Sequence, residues 1–166
     1  MMTAHRFGVL LGALLASYLL WPSEARAACN PLSLCSCTVT ATGVSFGTYN
    51  PVSSSANDAT GSVRVRCTLL VALAGSFTVD LSTGSSNSYA GRTLRNGTTN
   101  LGYNLYTTAA RNQIWGNGTG GTVNVVRSFT ALLAVDQTIT VYGRIPARQN
   151  VRAGAYSDTI VVTVTY

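Results

Sequence analysis

The sequence predicts an all-β fold, an antiparallel β-sandwich, on three observations. The 3.6-residue apolar period of an amphipathic helix is nearly absent. Short segments that alternate apolar and polar residues recur in its place. Gly, Asn, Ser and Pro separate them, giving about seven strands spaced by turns, the pattern of a sandwich.

The amino-terminal residues stand apart from that pattern. His5 and Arg6 make a short basic start, Phe7 to Trp21 is a mostly apolar run of 15 residues, and Ala25-Arg26-Ala27 follows Pro22. That order predicts a secretory signal peptide over residues 1–27, cut after Ala27. The apolar run is short for a membrane span. Arg26 also stands where a lipid-attachment box before Cys29 would want an aliphatic residue. The mature chain, residues 28–166, is then 139 residues long, enough for one domain with a real core. It shows no second domain, long linker or further membrane span.

The strands follow in order. Val39, Ala41, Val44 and Phe46 trace a first strand with an irregularity near Gly43, closed by a turn at Asn50-Pro51. In GSVRVRC, Val63, Val65 and Cys67 point inward and Arg64 and Arg66 outward. SFTVDLS repeats the pattern with Phe77, Val79 and Leu81, and Ser82 to Ala90 is a loop of small polar residues. A short strand around Leu94 runs into Asn96-Gly97, a strong hairpin signal, and Leu101, Tyr103 and Leu105 share one side beyond it. Asn117 to Gly121 is a second Gly-rich turn, and strand is expected through TVNVVRSF and LLAV. Ile139, Val141, Gly143 and Ile145 line the next strand. From Asp158 onward Ile160, Val162, Val164 and Tyr166 fall on one face, and the alternation runs to Tyr166. Phe46, Val63, Val65, Phe77 and Val79 are the expected core. Asn96-Gly97-Thr98 and Asn117-Gly118-Thr119 fit a glycosylation sequon, but turn geometry accounts for both.

Charge and cysteine usage narrow the function classes. All 11 basic residues are arginine, against five acidic ones. Arg6, Arg26, Glu24 and the single histidine leave with the signal, so the mature chain carries nine arginines, four aspartates and a net charge of +5. The arginines are spread along the chain, which argues against a nucleic-acid partner. Arg144, Arg148 and Arg152 are the nearest approach to an anion site. Cys29, Cys35, Cys37 and Cys67 all survive cleavage, and an even count in an exported chain reads as two disulfides with three pairings possible. Cys35 and Cys37 are too close to bridge comfortably. The favoured set is Cys37–Cys67, joining two strands, with Cys29–Cys35 closing a small loop. A zinc site would need all four thiolates at odd spacing, so no metal or cofactor is expected.

Catalysis finds little to work with. Without histidine, glutamate or lysine in the mature chain, the usual general bases and nucleophile–base pairs are missing. Asp58, Asp80, Asp136 and Asp158 show no spacing that singles out a glycosidase pair. No enzyme is expected. Trp115 and the tyrosines read as core or corner residues first; the alternative is a monomeric carbohydrate-binding module that stacks sugars on exposed tyrosines or on Trp115. The remaining feature is an edge: a last strand apolar on one face is either paired on both sides by earlier strands or left open for another chain to pair with.

Four stretches bear on that choice: CTVTATGVSFGTYNP from Cys37, GSVRVRC ending at Cys67, LGYNLYTTAARNQIWGNGTGG, and VYGRIPARQNVRAGAYSDTIVVTVTY. Together they resemble the spore coat protein U domain family, which includes secreted subunits of archaic chaperone–usher pili. The resemblance implies an immunoglobulin-like sandwich lacking its final strand. It implies a periplasmic chaperone that lends a strand and an outer-membrane usher where another pilus subunit replaces it, with a cell-surface pilus or coat as the product, used in adhesion and biofilm formation. The strand-acceptor edge would be Ile160, Val162, Val164 and Tyr166, with Tyr166 near the chaperone contact. The family's first-strand cysteine bridges to the later one, in agreement with Cys37–Cys67. One departure stands out: only Ala28 to Ser36 precede Cys37, and only Leu32 and Leu34 there could serve as plugs. The expectation is a chain that accepts a strand but donates one poorly.

Overall fold

The computed structural model describes residues 26–29, 35–71 and 73–166. Residues 1–25 of the expected signal peptide, and Leu32 and Leu34, lie outside the described residues.

Ten strands form two packed sheets and a hairpin. They are β1 (Arg26–Cys29), β2 (Cys35–Thr42), β3 (Asn57–Leu69), β4 (Leu73–Leu81), β5 (Thr93–Asn96), β6 (Thr99–Gly102), β7 (Asn104–Tyr106), β8 (Val125–Ala131), β9 (Ala134–Ile145) and β10 (Val162–Thr165). The first sheet has the order β1-β2-β3-β9-β7, the second β10-β4-β8, and β5 pairs with β6. Every ladder between these strands is antiparallel. The order β2-β3-β9-β7 is the A-B-E-D sheet of an immunoglobulin domain, and β4 and β10 take the places of C and F opposite it. Among the described residues no strand stands beside β10 where the G strand would be.

The core lies between the sheets, and its members alternate as the sequence pattern requires. Val63, Val65 and Cys67 of β3 face Phe77, Val79 and Leu81 of β4 across the interior, joined by Ile139, Val141 and Ile145 of β9. Leu101, Tyr103 and Leu105 are buried beside them. Cys37 and Cys67 are directly opposite in the β2–β3 register and are disulfide-bonded. At a sequence separation of 30, the bridge contributes on the order of 3–4 kcal/mol by loop entropy. The other expected bridge involves the Cys29 side chain, which is outside the described set; the backbone places Cys29 directly opposite Cys35.

Three strand expectations need correction. The first strand does not run to Phe46: β2 leaves its ladder at Thr42, opposite Ser62. Val44 and Phe46 then cross over β3 and β9 at two glycines. A Cβ on Gly143 would meet the Phe46 ring and Val44 at 2.7 Å, and one on Gly61 would meet the Thr42 carbonyl at 2.5 Å. The alternation persists there because both side chains still face the core, while the backbone has lifted out of the sheet. The last strand, likewise, is paired only over Val162–Thr165, because Asp158 to Val161 are held by side chains and by single bonds to Ser82. The segment TVNVVRSF is strand only from Val125.

Candidate strand-accepting groove

Between β10 and the segment after β2 the sandwich is open. One wall is residues 43–49, carrying Val44, Phe46 and Tyr49; the other is residues 151–162, carrying Val151, Tyr156, Ile160 and Val162. All of these side chains are half-buried against the core. Two clefts run along this seam. The inner one, of about 200 Å³, has Val63, Leu81, Leu105 and Val141 on its floor and Val44, Phe46, Ile160 and Val162 on its sides. The outer one, of about 810 Å³, continues past Leu94 and Leu101 to Pro51 and Val151. Gly43, Val44, Phe46, Leu94 and Asp158 belong to both, so the clefts form one groove.

An empty apolar groove should collapse unless its walls are tied elsewhere, and here each is tied outward. On the first wall, Asn57 Nδ2 donates to the carbonyls of Phe46 (3.0 Å) and Thr48 (3.4 Å). Tyr49 Oη donates to the Pro146 carbonyl at 2.9 Å and accepts from Gln149 N at 2.8 Å. On the second wall, Ser157 and Arg95 exchange backbone bonds of 2.8 and 3.1 Å. Ser82 N donates to the Val161 carbonyl, and Val161 N donates to Ser82 Oγ, both at 2.9 Å. Asp158 Oδ1 accepts from Ser85 N and Thr159 N at 2.9 Å, and Oδ2 accepts from Tyr103 Oη at 2.7 Å. Burial, followed by that bond to Asp158, pushes the Tyr103 phenol far above its usual range. Among the described residues no backbone hydrogen bond joins the two walls.

β10 has a ladder on one side only, with β4. Alternate residues of an antiparallel strand direct their N–H and C=O to each side, so half of the β10 groups face the groove. Ile160 and Val162 line the inner cleft, whereas Val164 and Tyr166 pack against the core farther along and outside its lining. Tyr166 Oη is buried without a hydrogen-bond partner.

Two features behind the second wall escaped the sequence reading. Arg92 is fully buried, 0% exposed, with no carboxylate bound to it. Its guanidinium donates to the Ser82 carbonyl (3.1 and 2.7 Å), the Trp115 carbonyl (2.7 Å) and Asn104 Oδ1 (2.9 Å), and it lies 5.3 Å from the Tyr89 ring centre. Nothing in the local pattern sets it apart from the other arginines. Asp158 reads as a turn residue in the sequence, yet it faces the groove.

The other sequence candidates are placed elsewhere. Trp115 is fully buried and donates through Nε1 to the Val79 carbonyl at 2.9 Å, so it cannot stack a sugar. The crossing that carries it is stitched to Leu105 and Val123, which draws the indole into the core. The described tyrosines are buried or half-buried rather than exposed platforms. Arg144, Arg148 and Arg152 do not converge: Arg144 forms a two-pronged pair with Asp58 at 2.7 and 2.8 Å, and Arg152 binds the Asn96 carbonyl at 2.7 Å. Asp136 is paired with Arg64 and Arg66.

The Spore Coat Protein U domain pattern matches residues 25–163 of this chain. The chain belongs to the spore coat protein U domain family. A relative, Protein U of Myxococcus xanthus, is 35% identical over 134 residues, 74% of this chain and 71% of that protein. The fold is also that of a chain in the crystal structure of the CsuC–CsuE chaperone–tip adhesion subunit pre-assembly complex, from the archaic chaperone–usher Csu pili of Acinetobacter baumannii. The TM-score is 0.52 at 22% identity, covering 80% of this chain and 40% of that one. Spore coat U membership thus rests on sequence across most of the chain, and the pilus-protein likeness is one of fold.

Proposed function

We propose that this chain is an exported structural subunit of a surface pilus or coat, completed by a β-strand supplied in turn by a periplasmic chaperone and a neighbouring subunit. The observation that carries this reading is the groove: an apolar floor between two walls that are tied apart, with the side of β10 that has no ladder turned toward the gap. A strand laid between them satisfies the free groups on β10 and covers the half-buried aliphatic face, which is β-augmentation. The spore coat U match and the pilus-complex fold support it. An outer-membrane usher is where one donor replaces the other. Cleavage after Ala27 would remove two of the four residues of β1, leaving Ala28 and Cys29 against β2.

A second observation supports a role in attachment and biofilm formation. The two crossings between the sheets, β3 to β4 and β8 to β9, lie side by side, joined by a 2.7 Å bond from Leu69 N to the Leu133 carbonyl. They expose Leu70 (72%), Val71 (46%), Leu132 (68%) and Leu133 (70%) with no charge between them. Large exposed aliphatics grouped at one end mark a contact surface.

The test is co-expression of the full chain with a periplasmic chaperone of a chaperone–usher system. The reading expects a stable complex on size exclusion and poor recovery without the chaperone. A chain that accumulates as a monomer and ignores both the chaperone and free donor peptides contradicts it.

A further inference from the structure

Among the described residues, Asp158 is the only charged side chain lining either cleft of the groove, and it sits where the two meet. Ile160 and Val162 lie to one side of it and Val151 to the other. Three donors already point at it, all neutral: Ser85 N, Thr159 N and Tyr103 Oη. An ionised carboxylate accepts about four hydrogen bonds, so one place remains. No arginine pairs with it. Arg92, the cation whose field reaches it, spends its hydrogen bonds on Ser82, Asn104 and Trp115.

A strand closing the groove takes this carboxylate further out of water. A charge removed from water without a partner is costly, and the cost is offset when a cation arrives with the group that covers it. An entirely apolar donor offers no such compensation. Resting on the strand-accepting reading, we propose that the donor strand of this chain carries one lysine or arginine within its alternating apolar residues, at the position facing Asp158. The groove then sets register as well as affinity, because a two-residue slip, the smallest that keeps the apolar face inward, would place an apolar side chain on the carboxylate and a cation among Val44, Phe46 and Val162.

The experiment titrates the purified full chain with synthetic alternating-apolar peptides: an all-leucine reference, and a series in which one lysine is moved through the inward positions. One lysine position should bind about tenfold more tightly than the leucine reference. The gain should shrink in high salt, and glutamate at that position should weaken binding. In Asp158→Asn the ratio of lysine-peptide to leucine-peptide affinity should fall to about one, whatever the substitution does to binding as a whole; the salt dependence on the unaltered chain gives the same answer should that variant fold poorly. The inference is overturned if the all-leucine peptide binds as well as every lysine peptide, or if the preference survives in Asp158→Asn. Failure of every peptide, the leucine reference included, overturns the strand-accepting reading itself and this inference with it.

Discussion

At the residue scale, Arg92 does work that no apolar side chain of its size could replace. Its guanidinium holds the Ser82 carbonyl, and Ser82 in turn holds Val161 at the start of β10 through its own N–H and hydroxyl. Asn104 and the Trp115 carbonyl converge on the same group. Arg92→Leu takes the guanidinium away from the buried Ser82 and Trp115 carbonyls and leaves Asn104 Oδ1 only its bond from Leu105 N, and should lower stability by about 3 kcal/mol, read from urea unfolding. The surface pairs act differently. Asp58, hydrogen-bonded to Arg144 and near Arg111, is held below its ordinary pKa of 3.8. A depressed carboxylate contributes stability above its unfolded pKa and loses it as pH falls through the lower folded value. The melting temperature should therefore drop more steeply below about pH 4 in the unaltered chain than in Asp58→Asn, by a small margin because the pair is largely exposed.

At the scale of elements, β10 and the segment after β2 form the two sides of the groove that the proposed function uses. The alternation of Ile160, Val162, Val164 and Tyr166 was legible because period two survives whether or not a strand is paired. Which of them would line an open groove was not, since that depends on where β2 leaves its ladder. The departure at Thr42 has a sequence trace, Gly43, and its counterpart is Gly61 and Gly143, small residues beneath Val44 and Phe46. Only the fold brings these three positions together. Ile160→Asp or Val162→Asp, on the inward face, should weaken partner-strand binding at least tenfold, because a charge then lies on the apolar side of the groove. Val161→Thr changes the solvent face, 59% exposed, and should leave the affinity unchanged in the same calorimetric titration.

For the whole molecule, the sequence carries the class of fold and most of its core: Val63, Val65, Phe77 and Val79 are buried as their alternation requires. The Cys37–Cys67 bridge was legible too, because two inward positions on neighbouring strands met an even cysteine count. Trp115 is buried as a core residue, the place its bulk favours. Arg92 was not legible: it is buried by contacts with the Ser82 and Trp115 carbonyls and Asn104, and no local period reports such contacts. On the proposed function, the sandwich takes a partner's strand between its two walls. Amide hydrogen exchange of the chain alone and bound to its chaperone or to a donor peptide tests this most directly. Binding should protect alternate amides of Val162–Thr165 together with amides of residues 43–48, and leave the β3–β9 ladder as it was. Protection that arises elsewhere, or β10 amides equally protected before and after binding, would contradict it.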